Sequence, residues 1–295
     1  MDLRQLEYFV SVVESGSFSR AAVALNLTQP SLSRQIALLE HELGQRLLVR
    51  TGHGTTPTEA GELLLVHARS MLETARRTRD ALREMNTSPS GRVVVGLPPR
   101  VAVRLSVPFV ERFRTRFPRA VVTILEGLSV SLRESLIAGR LDLALLFDPP
   151  ASPQLEYEPL ARERLLLVAP SNYPLDSHVG LTELAGYPLI LPSAPNAIRS
   201  LIEALIRPLH LELQIVAEVG AVPTALALVE KGIGCSIVPE SAFTEPRYDS
   251  LARAPIGPPE ILNTLVLATP IARPATRLTR EAAALLRQLD FRQSV

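Results

Sequence analysis

The sequence predicts an α/β protein whose N-terminal part is an all-α helix-turn-helix module continued by a long helix. Three observations carry this prediction. Apolar residues recur at helical spacing from Leu6 to Leu43, in three short segments separated by helix-stop signals. Thr56-Pro57-Thr58-Glu59 then reads as a capping box, with Thr56 as cap and Pro57 at the first helical position, opening a helix too long for one small domain to cover. From Val93 onward, short apolar runs alternate with helical patterns, the mark of βαβ units around a mainly parallel sheet.

The chain has 295 residues and is 46% hydrophobic, enough for a sizeable core in two or three domains. No apolar run approaches the ~20 residues that span a bilayer. The start Met1-Asp2-Leu3-Arg4 places charge where a signal peptide needs apolar residues, so a cytoplasmic location with no membrane partner is expected. Cys235 is the single cysteine, which excludes an intramolecular disulfide and a cysteine-based structural zinc site. The net charge of +1 neither demands nor forbids a nucleic-acid partner. Its distribution says more, because 16–39 holds Arg20 and Arg34, and 43–58 holds Arg46 and Arg50, with no carboxylate in either stretch.

Leu6, Phe9, Val10 and Val13 form the apolar stripe of the first helix, which Gly16 ends. Ser17 can cap a second helix from Phe18 to about Leu25, with Asn26 suited to a left-handed stop. Thr28 can cap a third, with Gln29 and Pro30 in its first turn and Leu32, Ile36, Leu39 and Leu43 inward. On that third helix Gln29, Ser33 and Arg34 fall off the apolar stripe near the N-terminal end. Side chains of these types can bond to base edges or phosphates in a major groove, and the plain alternative is a solvated polar face.

In the long helix, Leu64, Ala68, Met71, Ala75, Thr78, Leu82 and Met85 follow alternating steps of four and three, a coiled-coil seam. Pairing of two chains is the expected use, against the alternative of packing on its own domain. The run Asn86-Thr87-Ser88-Pro89-Ser90-Gly91 reads as a hinge. The expected domains are 1–58, a helix and hinge over 59–91, and a sensor region over 92–295.

The sensor region begins with the strand Val93 to Leu97, a helix through Val110 and Phe113, and a strand from Val121 to Leu125. A helix from Leu132 to Ala138 and the strand Leu143 to Phe147 complete a first lobe, expected over 92–161 and 268–295. A second lobe, over 162–267, holds strands Leu165 to Ala169, Leu189 to Leu191, Ile215 to Val219 and Cys235 to Val238, with helices from Asn196 and over Val222 to Lys231. Leu262 to Ala268 and a final helix from Thr279 to Leu289 lead back to the first lobe. Ligands of open α/β sheets bind beyond the carboxyl ends of strands. That rule selects Pro99, Arg100 and Val101, then Ser129, Ser131 and Phe147, then Ser193 and Asn196, and finally Val219 and Thr224. Arg100 at a helix start suits an anionic group.

Enzyme motifs fail. His41-Glu42 lacks a histidine at Gln45, Gly127-Leu128-Ser129-Val130-Ser131 lacks the second glycine of a nucleophile elbow, and Gly232-Ile233-Gly234 opens a strand instead of a nucleotide-binding helix. Cys235 reads as a buried inert thiol, and His53 and His67 as solvated residues or phosphate contacts. No cofactor or metal is implied.

The order and spacing of Phe18-Ser19-Arg20-Ala21-Ala22, Leu27-Thr28-Gln29-Pro30-Ser31-Leu32-Ser33-Arg34-Gln35-Ile36, Leu39-Glu40, Leu43-Gly44, Leu47-Leu48-Val49-Arg50 and Thr58-Glu59-Ala60-Gly61 resemble the signature of LysR-type transcriptional regulators. The resemblance implies a winged helix-turn-helix, a linker helix and a two-lobed effector domain like a periplasmic binding protein. It implies double-stranded promoter DNA, a small-molecule effector and a second copy of the chain as partners, as homodimer or homotetramer, with RNA polymerase a further candidate. It also implies DNA contacts at Arg20, Thr28, Gln29, Pro30, Ser31, Ser33 and Arg34, with a wing from Arg50 through His53 to Thr56 along the backbone and minor groove. Gly96-Leu97-Pro98-Pro99 and Leu191-Pro192-Ser193 further resemble the subgroup of nitrogen-assimilation-control regulators. That subgroup commonly has serine where this chain has Arg100. A solute-binding protein or enzyme on the same two-lobed fold is the alternative.

Overall fold

The computed structural model describes residues 1–51, 54–84, 90–243 and 246–291. Two compact units emerge, Met1–Gly91 with Ile137–Arg140, and Arg92–Leu136 with Leu141–Val295.

In the first unit, α1 (Leu3–Ser15), α2 (Phe18–Ala24) and α3 (Gln29–Leu43) are followed by the hairpin β1 (Leu48–Thr51) and β2 (Gly54–Pro57), then α4 (Glu59–Glu84). Asp2 and Gln5 form a capping box at the start of α1, and Gly16 ends it at φ 61°, a conformation that costs glycine little. Ser17 caps α2, and Asn26 takes the left-handed conformation at φ 54° before α3. Leu6, Phe9, Val12, Leu32, Ile36 and Leu39 close one core. Leu43, expected inward, is 38% exposed because α3 runs out beyond that core.

Two expectations about α4 need correction. Its cap is Thr58, not Thr56, since Thr58 Oγ1 accepts from Gly61 N at 3.0 Å and donates to Arg46 O at 2.7 Å, while Pro57 closes β2. The predicted seam is also turned. Ala68 is fully buried and Leu64 and Met71 pack against the core of α1 to α3, an arrangement reinforced by the Arg69–Glu14 ion pair. Leu63, Val66 and Leu82 are exposed large apolar residues of α4. Met85 and 86–89 of the expected hinge lie outside the described residues.

The second unit is built on one sheet of nine strands. Its strands are β3 (Gly91–Leu97), β4 (Ala120–Glu126), β5 (Leu143–Phe147), β6 (Leu155–Ala169), β7 (Leu189–Leu191), β8 (Ile215–Glu218), β9 (Cys235–Pro239), β10 (Ala252–Pro255) and β11 (Leu262–Pro270). They run in the order β4-β3-β5-β11-β6-β9-β7-β8, with β10 against β6. The helices are α5 (Pro99–Arg116), α6 (Ser129–Ile137), α7 (Ala197–Ile206), α8 (Val222–Glu230) and α9 (Arg277–Arg287). The buried Asp142 carboxylate accepts from Val94 N at 2.7 Å, while Asp142 N donates to Val94 O, locking the starts of β5 and β3 together.

The lobes join through β6. Its residues 155–164 pair with β11, and 165–169 pair with β9 and β10. The return to the first lobe therefore begins at Leu262, not near 268, because β11 already pairs with β5 at Leu265↔Phe147. The first lobe's core joins β3 and β5 to α5 and α9. The second lobe buries both sheet faces, one against α7 and one against α8.

Candidate DNA-reading helix and effector cleft

Thr28, Gln29, Pro30, Ser31 and Arg34 are all exposed at the start of α3, and Ser33 is half-buried. Arg20 is exposed but donates through Nε to Ser15 O at 3.0 Å, so it also fastens α2 to the end of α1. Thr56 is exposed on β2, and Arg50 pairs with Thr55 in the hairpin register. The Arg50 side chain and His53 lie outside what is described. The start of α3 thus presents polar side chains capable of hydrogen bonds to base edges or phosphates, on a three-helix core that fixes their direction.

In the second unit the strand-end residues divide into two groups. Arg100, Ser129 and Phe147 come together: Ser129 Oγ accepts from Phe147 N at 2.9 Å, and the Arg100 guanidinium lies 4.8 Å from the centre of the Phe147 ring. Pro99, Ser131, Ser193 and Thr224 are exposed. Val101 is fully buried in the first lobe's core, Val219 packs on that of the second, and Asn196 Oδ1 caps α7 by accepting from Ile198 N at 2.9 Å. These three hold structural positions, in the two cores and at the start of α7.

Arg100 is not a waiting cation. Its Nη2 donates to Glu163 Oε1 at 2.6 Å and its Nη1 to Glu163 Oε2 at 3.3 Å, a forked pair. Nη1 also donates to Ser241 Oγ in the second lobe, and Arg104 Nη2 donates to Ser241 O at 3.1 Å. Glu163 stands at the lobe crossing of β6, directly opposite Asn263 of β11. None of Glu163, Arg104, Ser241 or Asn263 was signalled by strand-end position, because they come from the crossing strands, from the second turn of α5 and from the turn after β9. Burial, and secondarily repulsion from Arg100, depress the Arg104 basicity, an effect that Glu163 opposes.

Asp148, at φ 40° just after β5, accepts from Thr264 N through Oδ1 at 3.0 Å. Burial pushes its carboxyl up, against the Thr264 hydrogen bonds and with help from the nearby Glu163 charge. An acid whose folded-state value is raised holds more protons folded than unfolded, so stability falls as pH rises through the window above the ordinary value near 3.8. Asp148→Asn keeps the acceptor and tolerates the left-handed backbone. It is therefore expected to raise the melting temperature at pH 8 more than at pH 4, which thermal melts across that range would check.

Burial also pushes the Cys235 thiol up to about 11, which leaves it an unreactive core residue. Among the described residues, no group of His, Cys, Asp and Glu could hold a metal ion and no helix is long and apolar enough to cross a membrane.

Residues 3–62 match the family model described as "Bacterial regulatory helix-turn-helix protein, lysR family", and residues 86–290 match "LysR substrate binding domain". The nitrogen assimilation regulatory protein nac of Klebsiella aerogenes is 36% identical over 243 residues, covering 82% of this chain and 79% of its own. The corresponding Escherichia coli protein is 35% identical over the same shares. A full-length OxyR variant from Pseudomonas aeruginosa shares the fold at TM-score 0.76 and 22% identity, with both chains fully covered. Full-length CbnR complexed with its target DNA matches at TM-score 0.67 and 27% identity, covering 98% of this chain and 99% of that one. The exposed start of α3, the two-lobed domain with its polar crossing and these matches lead to one conclusion: the chain is a DNA-binding transcriptional regulator of the LysR family, not an enzyme.

Proposed function

We propose that this regulator acts in the cytoplasm on double-stranded promoter DNA as a dimer or tetramer, with RNA polymerase a candidate contact. On this reading, a small molecule in the cleft around Arg100 changes its grip on the operator or its activation of the promoter. The observation that carries the reading is the outward set Gln29, Pro30, Ser31 and Arg34 on a helix whose other face is core. Gln29 is assigned to bases, and Arg50 on the wing to phosphate. Gln29→Ala should cost about 1 to 3 kcal/mol on the operator and relax base preference, while Arg50→Ala should weaken all sequences and flatten the salt dependence. Footprinting upstream of the chain's own gene, with and without candidate metabolites, would locate the operator. Titrating operator and random DNA then checks the assignment, and equal losses on both for Gln29→Ala would contradict it.

Dimerisation is assigned to the outer stripe of α4 carrying Leu63 and Val66, since Leu64, Ala68 and Met71 are turned to their own core. Leu63→Glu with Val66→Glu is expected to yield monomers in sedimentation velocity and to weaken operator binding, because one module makes few contacts. A dimer that persists would place the interface elsewhere.

A further inference from the structure

We propose that the effector is a zwitterionic amino carboxylate, its carboxylate taken by Arg100 and its ammonium by Glu163, so that it enters by exchanging with the two members of an existing ion pair. This deepens the cleft reading above and rests on it.

The first support is charge balance. Arg100 is already neutralised, in a forked pair with a Glu163 side chain only 4% exposed, whereas its own side chain keeps 21%. A plain carboxylate arriving at the exposed side of Arg100 would have to displace Glu163 and leave it buried without its counter-ion, beside the Asp148 carboxyl. Such a charge is strongly unfavourable, so simple anions gain little from this arginine. A ligand bearing both charges repairs what it breaks, because its ammonium replaces the guanidinium that Glu163 loses.

The second support is independent of that pair. Asn263 is 1% exposed and shares a sheet face with Glu163, its direct cross-strand partner. Its Oδ1, like Asp148 Oδ2, is a buried oxygen without a hydrogen-bond partner among the described residues. An ammonium carries three donors, and Glu163 satisfies them only in part. The surplus of acceptors on and beside the crossing strands therefore matches a donor-rich cation, while both arginines, Arg100 and Arg104, come from α5. A carboxylate set against an ammonium is the ligand chemistry that fits such a division of charge.

The same exchange gives a signal. Arg100 belongs to the first lobe and Ser241 to the second, and Arg100 Nη1 donates to Ser241 Oγ. A ligand that takes Arg100 must compete with that interlobe contact, so its affinity depends on the lobe arrangement, which is the condition for shifting a population.

Titration calorimetry on the full-length chain tests the assignment with matched probes: the common L-amino acids, each one's deaminated carboxylate and each one's decarboxylated amine. At least one amino acid is expected to bind about ten-fold or more tightly than both its matches. In Glu163→Gln, the advantage over the deaminated carboxylate should shrink to within about three-fold. A parent chain that binds plain carboxylates as tightly as amino acids overturns the proposal, even if the variant fails to fold. So does a parent that binds no amino acid. Plain carboxylates that bind only when Arg100 is present would leave the cleft reading standing, whereas a broad metabolite panel without any Arg100-dependent binder would remove that reading as well.

Discussion

Replacing Gly61 by alanine is expected to destabilise the N-terminal module strongly, although helix propensity alone predicts the opposite. Glycine inside a helix is about 0.5 to 1 kcal/mol worse than alanine when the position is open. Gly61 is not open. A Cβ there would lie 2.1 Å from the carbonyl oxygen of Leu47 and 3.1 Å from its carbon, in the segment that leads into β1. Both are backbone atoms, so no rotamer relieves the overlap. That same oxygen accepts from Thr58 N at 2.9 Å, so moving α4 away breaks the hydrogen bond at its start and disturbs the Thr58 cap. Overpacking of this kind costs about 1 to 3 kcal/mol, and the lost backbone hydrogen bond adds about 1 more. Denaturant melts should place Gly61→Ala about 3 kcal/mol below the parent. Operator binding should fall with it, because the wing and α3 share the core that α4 closes. Gly186→Ala is the control, with nothing within 4 Å of its added Cβ, and should leave stability nearly unchanged.

The glycine of Thr58-Glu59-Ala60-Gly61 illustrates what the sequence makes legible. Local signals transfer well: Gly16, Ser17 and Asn26 mark the ends they were expected to mark, and β5 spans Leu143–Phe147 as expected. Each is decided by a few consecutive residues. The first ten residues of β6 were not legible, because Glu156, Glu158 and Arg162 dilute the apolar pattern and Pro159 argues against a strand. Their partner is β11, about a hundred residues later, and Pro159 is accommodated where the register shifts between Leu265 and Val266. Likewise the four-three stripe of α4 is legible as a stripe, but periodicity does not say which surface it covers. Its first half covers the chain's own core.

The cleft shows the same division more sharply. Strand-end reasoning reached Arg100, Ser129 and Phe147, which do meet. It could not reach Glu163, since a glutamate in a polar stretch carries no sign of a partner 63 positions earlier. A charge is visible in a sequence. Its neutralisation is a property of the folded chain.

That neutralisation makes Arg100→Ala the substitution with the other large expected effect, and the loss comes from what remains instead of what is removed. Without the guanidinium, the Glu163 carboxylate, 4% exposed, keeps one described donor, Ser241 N at 3.4 Å, too few for a buried charge. Stranding one member of a buried pair typically costs about 3 to 5 kcal/mol. The lower end applies here, because Arg100 is 21% exposed and water can follow it into the space. Glu163→Gln is expected to be milder, about 1 kcal/mol, since the neutral amide still accepts and the partly exposed arginine can turn to solvent. The pair should therefore be strongly non-additive. Arg100→Met combined with Glu163→Gln removes both charges and preserves most of the volume, and replacing a buried pair in this way is often neutral. Denaturant melts of the parent, Arg100→Met, Glu163→Gln and the double close the cycle, and should place the double above Arg100→Met, which strands Glu163 as Arg100→Ala does, by about 2 kcal/mol. Simple addition of the single losses would show that Glu163 does not depend on Arg100, and the forked contact would then carry no energetic coupling.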